Sequence, residues 1–279
     1  MQVGPKTYVF GVPKFETKAG VILGTKQVLV VDTLHHPSEA KVLKDAAESQ
    51  GREVGWVFYT HWHGDHTFGG QALDGLFVSS DKCAEQVQKR FSREQLGRLA
   101  AQDPRYPADF EVRIPSITFS DAMTIDIGGA CVRLERWAGH TPCSAIAVLE
   151  QDGVVFAGDE LFVQCHPWAG EAALARWCSN LKRLMDVGSD LGTVVPGHGP
   201  VLTGRDIRRE IGAFLSYLEG TLATASGLAA KGIAIEEAMA YPGFPQIGCE
   251  MTDNEIRMRQ SSIERACHEI WELQSVRGL

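Results

Sequence analysis

Apolar and polar positions alternate along the first two thirds of the chain in short blocks separated by glycine and other turn residues. Runs of this kind, rich in β-branched residues, are typical of β-strands. They predict strands at 8–12, 21–24, 27–32, 54–59, 75–79, 116–120, 123–126, 131–137, 145–149, 154–157 and 192–195. The uninterrupted apolar run at 28–31 is typical of a central strand buried on both faces.

Helical spacing of apolar residues separates these strands and then dominates the end of the chain. It predicts helices at 38–49, 81–101, 171–187, 205–230, 235–240 and 253–275. Pro104, Pro107 and Pro115 indicate an irregular loop between the first and second halves. We therefore expect an α/β domain over 1–204 and a helical extension over 205–279. The extension either covers a pocket of that domain or forms a dimer face, and periodicity does not choose between them.

Composition narrows the class of partner. The formal net charge is −8, which argues against a nucleic-acid partner because such binding depends on Lys and Arg contacts to phosphates. The chain contains no apolar run long enough to span a membrane, and its start lacks the apolar core of a signal peptide. Seven cysteines without a C-x-x-C pair are typical of a reducing compartment. We expect a cytoplasmic protein without membrane contact.

The densest chemistry lies in the segment 60–66, Thr-His-Trp-His-Gly-Asp-His, which follows the strand predicted at 54–59. His61 and His63 keep an extended spacing, so both imidazoles can face one metal ion. Asp65 and His66 follow where the chain turns, and they can face a second ion about 3.5 to 4 Å away. Imidazole and carboxylate ligands suit Zn²⁺ and also iron or manganese.

Three later strands also end beside potential ligands set among glycines. The strands at 131–137, 154–157 and 192–195 lead into Gly139-His140, Gly158-Asp159 and Gly197-His198. Glycine lets a backbone turn sharply and approach a site closely. Asp32, at the tip of the strand 27–32, either makes structural hydrogen bonds or supports a metal ligand. Each of these signals is weak alone, but their order after the histidine motif is specific.

With these residues in this order, the sequence resembles the metallo-β-lactamase-fold hydrolase superfamily over roughly residues 8–205. The resemblance implies an αβ/βα four-layer sandwich, in which two mixed sheets pack face to face with helices outside and a metal site at one edge. It also implies a ligand set for two metals. His61, His63 and His140 bind one ion, Asp65, His66 and His198 bind the other, and Asp159 bridges them.

The implied chemistry is hydrolysis by a dinuclear centre, with two Zn²⁺ ions expected and Mn²⁺ or Fe²⁺ as substitutes. Two cations that share a water lower its pKa toward about 7, so that a bridging hydroxide can attack a carbonyl or phosphorus. Asp65 and Asp159 are the expected catalytic residues. Asp65 would both ligate and accept the proton of the nucleophile.

The bridging carboxylate resembles the glyoxalase II and lactonase branch rather than typical β-lactamases. Lactonases of that branch usually carry tyrosine three residues after the bridging aspartate, where Phe162 stands here. We therefore favour an ester or thioester, small or carrier-bound, such as the substrate of a thioesterase or of a polyketide cyclase. Alternatives are a lactonase, a phosphodiesterase, and a persulfide dioxygenase that uses one iron at His61, His140 and Asp159.

Four residues are candidates for the substrate pocket: His36, Phe162, His166 and Trp168. Phe162, His166 and Trp168 follow Asp159 closely in the sequence, and His36 follows the strand tip at Asp32. The helical extension is the candidate surface for a homodimer.

Overall fold

The computed structural model describes residues 1–12 and 16–277, with twelve strands and eight α-helices among them. The strands are β1 (Thr7–Gly11), β2 (Lys18–Leu23), β3 (Val28–Val31), β4 (Val54–Phe58), β5 (Leu76–Ser80), β6 (Ile117–Phe119), β7 (Ala122–Asp126), β8 (Cys131–Arg136), β9 (Ala145–Leu149), β10 (Val154–Phe162), β11 (Thr193–His198) and β12 (Leu202–Thr203). The helices are α1 (Pro37–Glu48), α2 (Gly64–Thr67), α3 (Asp81–Arg90), α4 (Arg93–Gln102), α5 (Leu174–Leu191), α6 (Arg205–Ala230), α7 (Ile235–Met239) and α8 (Asp253–Arg277). Residues 278 and 279 of the predicted extension lie outside the described residues.

The strands form two mixed six-stranded sheets. The first has the order β1-β2-β3-β4-β5-β6, with parallel pairing from β3 to β6. The second has the order β12-β11-β10-β9-β8-β7, in which β10 and β11 are parallel and the other pairs are antiparallel. Parallel neighbours bring their carboxyl ends to one edge of a sheet, which is where ligands on successive strands can meet.

Apolar side chains of both sheets pack between them in a central core that includes Leu29, Phe58, Leu134 and Phe156. Helix α1 covers the outer face of the first sheet, and α5 and α6 cover the outer face of the second. The run β3 is buried along its whole length, as predicted. This arrangement of helix, sheet, sheet and helix confirms the predicted αβ/βα sandwich.

The helical end of the chain packs against the second sheet through α5. Trp177 on α5, Phe214 on α6 and Ile263 on α8 belong to one buried apolar cluster. None of the described helices is long and apolar enough to cross a membrane.

Several boundaries differ from the prediction, and the three largest differences are as follows. The helix expected at 81–101 is two helices, because Ser92 caps α4 and exchanges hydrogen bonds with Gln95 in a capping box. Strand β10 continues through Gly158 to Phe162, so it includes Asp159. The helix expected at 171–187 begins at Leu174 and ends at Leu191.

Candidate metal centre

The histidine motif lies where β4 leaves the first sheet. His61 follows the strand, and His63 is the residue before α2, which begins at Gly64 and carries Asp65 and His66. The chain turns into this short helix directly after His63. His61 and His66 fall in different groups of potential metal donors.

The second sheet supplies the remaining donors. His140 lies in the loop between β8 and β9, Asp159 lies within β10, and His198 is the last residue of β11. All seven predicted ligands therefore converge on the edge where the two sheets meet.

Four of these residues form what we call the first donor group: His61, His63, His140 and the Oδ2 atom of Asp159. His63 Nδ1 lies 2.9 Å from His61 Nε2 and 3.1 Å from His140 Nε2. Asp159 Oδ2 lies 3.5 Å from His61 Nε2 and 3.3 Å from His140 Nε2. Ligands about 2.0 to 2.1 Å from a tetrahedral ion lie roughly 3.3 Å from one another, so this group fits a single metal.

The second donor group consists of Asp65, His66, His198 and the Oδ1 atom of Asp159. His198 Nε2 lies 3.2 Å from Asp65 Oδ2, and His66 Nε2 lies 3.6 Å from that same atom. Asp159 Oδ1 lies 3.1 Å from His66 Nε2 and 3.4 Å from His198 Nε2. The two carboxylate oxygens of Asp159 thus belong to different groups, which is the arrangement that a bridging ligand requires.

Asp32 fixes which nitrogen of two ligands is available. It accepts hydrogen bonds of 2.8 Å from the Thr60 amide, the Thr60 hydroxyl and His66 Nδ1. Because the Thr60 hydroxyl donates to Asp32, its oxygen is left to accept from His61 Nδ1 at 3.1 Å. In their neutral form, both imidazoles therefore carry their proton on Nδ1 and present the Nε2 lone pair to the site.

Glu160 holds the loop of His140. This buried carboxylate accepts hydrogen bonds from the backbone amides of Gly139 and His140 at 2.8 and 2.9 Å, and from the side chain of Asn180 at 2.8 Å. Burial raises the pKa of Glu160. Glu160 was not among the predicted site residues, although a second acid beside Asp159 in an otherwise apolar strand is a local signal for it.

The electrostatics of the two groups differ. Burial lowers the pKa of His63 to about 3 and that of His140 to about 4, so both are neutral at pH 7. Burial also acts to lower the pKa of His198, but the carboxylates around it, first that of Asp159, outweigh burial and raise this pKa to about 10. The same balance raises the pKa of His66 well above its usual value. The second donor group therefore attracts positive charge more strongly than the first.

Two glycines allow the sheet edge to close around Asp159. A Cβ atom at Gly197 would lie 1.9 Å from Asp159 Oδ1, and one at Gly158 would lie 2.7 Å from the Thr60 side chain. Gly158 also has a φ of +51°, a conformation that side chains disfavour. The glycines that the sequence places beside the ligands are thus required for close approach.

A cavity of about 400 Å³ opens onto both donor groups. Three of the four candidates for the substrate pocket line this cavity: Phe162, His166 and Trp168. The fourth candidate, His36, is not part of the wall. It precedes α1 and lies 3.1 Å from Glu39.

His35 lines the cavity in place of its neighbour His36. Adjacent side chains point to different sides here, and the sequence does not show which side faces the cavity. Asn254, Glu255 and Met258 of α8 complete the wall and were also missed. They lie about 90 residues beyond the nearest predicted wall residue, so nothing local in the sequence associates them with the site.

The chain is similar to known proteins in sequence and in fold. The chain is 27% identical over 216 residues to an atrochrysone carboxyl ACP thioesterase of Aspergillus novofumigatus, covering 76% of the chain and 54% of the relative. It is 26% identical over 196 residues to a lactamase-like protein of Aspergillus niger, covering 70% and 50%. The chain thus spans about half the length of these curated relatives.

Solved structures share the fold. A metallo-beta-lactamase family protein from Thermus thermophilus matches with a TM-score of 0.65 and 20% identity, covering 98% of this chain and 94% of the other. The sec-alkylsulfatase Pisa1 from a Pseudomonas species matches with a TM-score of 0.69 and 15% identity, covering 96% and 49%. The family model described as the metallo-beta-lactamase superfamily matches residues 13–202, and by this match the chain belongs to that superfamily.

Proposed function

We propose that the chain is a dinuclear metal-dependent hydrolase that cleaves a thioester or ester carbonyl, with a carrier-bound acyl group as its substrate class. The position of Asp159 carries this proposal, because its two oxygens face two separate sets of nitrogen and oxygen donors. A single-metal enzyme has no need of the second set. Zn²⁺ is the metal that the histidine-rich donors favour.

Bound divalent cations would supply a water of lowered pKa as the nucleophile and polarise the carbonyl that it attacks. Other residues of the chain would orient the ligands of these cations. Asp32 sets the tautomers of His61 and His66, and Glu160 fixes the loop of His140. Neighbouring histidines, first His66, hold the pKa of Asp65 well below its usual value, against the opposing effect of burial. Asp65 therefore stays ionised at neutral pH, as a metal ligand must, and is a weak proton acceptor.

The substrate class rests on the cavity and the relatives. Phe162 stacks on His198 at 4.9 Å between ring centroids, and it brings no hydroxyl to the carbonyl. This argues against a lactonase that uses a tyrosine at that place. Two curated relatives, from Aspergillus novofumigatus and Aspergillus fumigatus, are named as acyl-carrier-protein thioesterases. By analogy, water would cleave the bond between the acyl carbon and sulfur, giving a carboxylic acid and a free thiol.

Metal analysis combined with a substrate panel tests the proposal. We expect two zinc or manganese ions per chain, thioester hydrolysis that a chelator abolishes, and recovery when the metal is restored. The variant Asp159→Asn is expected to lose metal and activity, whereas Asp121→Asn, at an exposed site, is expected to retain both. Lactones and phosphodiesters in the panel rank the rival hydrolases. One iron per chain with oxygen uptake on a thiol persulfide would instead establish the dioxygenase.

A further inference from the structure

A second cluster of polar side chains lies beside the cavity, apart from the donor groups, and two of its members, His166 and Glu255, line the cavity. His166 follows β10, Cys249 lies in the loop before α8, and Glu255 lies in the first turn of α8. Glu255 Oε2 lies 2.8 Å from His166 Nδ1 and 3.3 Å from Cys249 Sγ. A histidine, a cysteine and a carboxylate this close together have the composition of a zinc site.

The hydrogen bonds of His166 exclude that reading. The backbone amide of Ile247 donates to His166 Nε2 at 2.9 Å, so Nε2 must present its lone pair. The proton of the neutral ring is then on Nδ1, where it is donated to Glu255 and leaves no lone pair for a metal. Burial lowers the pKa of His166, which keeps the ring neutral, and burial raises the pKa of Cys249 to about 11, which keeps it a thiol.

The cluster instead orients one carboxylate. Glu255 Oε2 receives three hydrogen bonds, from the His166 amide at 2.7 Å, from His166 Nδ1 and from the Cys249 thiol. Among residues 1–12 and 16–277, Glu255 Oε1 receives none. Glu255 lines the cavity together with apolar groups such as Met258 and Trp168. One oxygen is thus saturated by the protein, and the other is left to accept.

We propose that Glu255 recognises the substrate by accepting a hydrogen bond from an amide N–H of its thiol arm, and that His166 is the positioning residue for this carboxylate. The proposal rests on the proposed thioester function, since the arms of carrier-bound and coenzyme-bound acyl thioesters carry amides. A fixed carboxylate in an apolar wall selects for such a donor, because a substrate without it leaves the charge desolvated and unpaired.

The variant Glu255→Gln reverses the polarity of this contact without changing its shape. Three donors point at the Oε2 position, so the amide oxygen of glutamine must occupy it and the NH₂ group must face the cavity. The NH₂ group of the glutamine then faces the amide N–H of the substrate, and two donors cannot form a hydrogen bond. The matched control is Glu264→Gln, at an exposed position on the same helix.

The measurement compares two acetyl thioesters of equal length, one of N-acetylcysteamine and one in which methylene groups replace the amide. For Glu255→Gln we expect KM for the amide-bearing thioester to rise about tenfold or more, with kcat and the amide-free thioester changed less than about twofold. Glu264→Gln is expected to leave both unchanged. Equal losses on both thioesters, or no loss on either, would overturn the proposal.

Two further readings do not depend on turnover. Calorimetry with the octyl thioether of N-acetylcysteamine, which has the amide but no scissile carbonyl, is expected to show about tenfold weaker binding to Glu255→Gln. This result can be obtained even if the chain hydrolyses no thioester, so the two proposals fail separately. A third zinc ion per chain that is lost in Glu255→Gln would show that the cluster is a metal site, and this proposal would be wrong.

Discussion

Replacing Gly197 with alanine is expected to displace the carboxylate of Asp159, the proposed bridging ligand. The added methyl carbon would lie 1.9 Å from Asp159 Oδ1 and 2.9 Å from the backbone nitrogen of Asp159. An ordinary contact between such atoms is about 3.5 Å, so the carboxylate must retreat by roughly 1.5 Å. The φ angle of Gly197 is not in the positive region, and the effect is therefore one of space alone.

The size of this shift decides the outcome. Metal ligands tolerate about 0.2 Å of error around a bond of roughly 2.0 to 2.2 Å, so an oxygen moved by 1.5 Å no longer ligates. Asp159 Oδ1 is the atom that lies 3.1 Å from His66 Nε2, and the second donor group loses it first. We expect Gly197→Ala to bind about one metal per chain and to lose most of its activity. Its free energy of unfolding should be about 1 to 3 kcal/mol lower, as is typical when a packed site is overfilled.

The control is Gly227→Ala, in an exposed turn of α6 with no atom within 4 Å of the new methyl group. It should retain both metals and gain about 0.5 to 1 kcal/mol, because alanine is the better helix former. Elemental analysis after dialysis, hydrolysis rates and urea unfolding measure the three quantities, and circular dichroism verifies that each variant is folded. If Gly197→Ala keeps two metals and normal turnover, the bridging role of Asp159 is wrong.

Three further predictions concern the donor groups and the cavity. Asp32→Asn should weaken metal binding by about 10- to 100-fold, because a neutral amide orients His66 poorly. The control Asp121→Asn, at an exposed site, should leave metal binding unchanged, and metal titration measures both affinities. The raised pKa values of His66 and His198 mean that the metal-free chain holds protons on these imidazoles at pH 7 to 8. Binding of a metal to the second donor group should therefore release at least one proton. The affinity for that metal should also increase with pH up to about 10. Calorimetry in buffers of different ionisation enthalpy measures that release, and equal affinity at pH 7 and 9 would contradict it. Trp168→Ala removes an aromatic side chain from the cavity wall beside the first donor group. It should raise KM with little change in kcat or metal content. A loss of metal would show instead that the Trp168 ring stabilises the donor group itself.

The grouping of the seven candidate donors could be predicted from the sequence because its signals are local. Four donors belong to one short motif, and the other three lie near the carboxyl ends of strands β8, β10 and β11. Periodicity was less reliable at boundaries. The apolar spacing runs across Phe91 and Ser92 as if one helix continued, yet the capping box of Ser92 with Gln95 ends one helix and begins another. At that point the hydrogen bonds of the cap, rather than the apolar periodicity, determine where the helix begins.

The cavity wall was harder to predict because it depends on packing between distant segments. His35 and His36 are equivalent in the sequence, and only the packed turn before α1 decides which of them faces the cavity. Glu255 has no neighbour in the sequence that suggests a site. Its role arises because α8 packs on α6, and α6 on α5, which brings the first turn of α8 to the end of β10.

The two parts of the chain contribute different groups to the site. The family match ends at residue 202, and all seven candidate metal donors lie within it. The side chains at 254, 255 and 258 lie outside that match and still form part of the cavity wall. Substitutions at the donors should therefore change the rate on every substrate alike, whereas substitutions in the first turn of α8 should change which substrate is preferred. Selectivity in this chain is accordingly best sought in the helical extension, where likeness to the family gives no guidance.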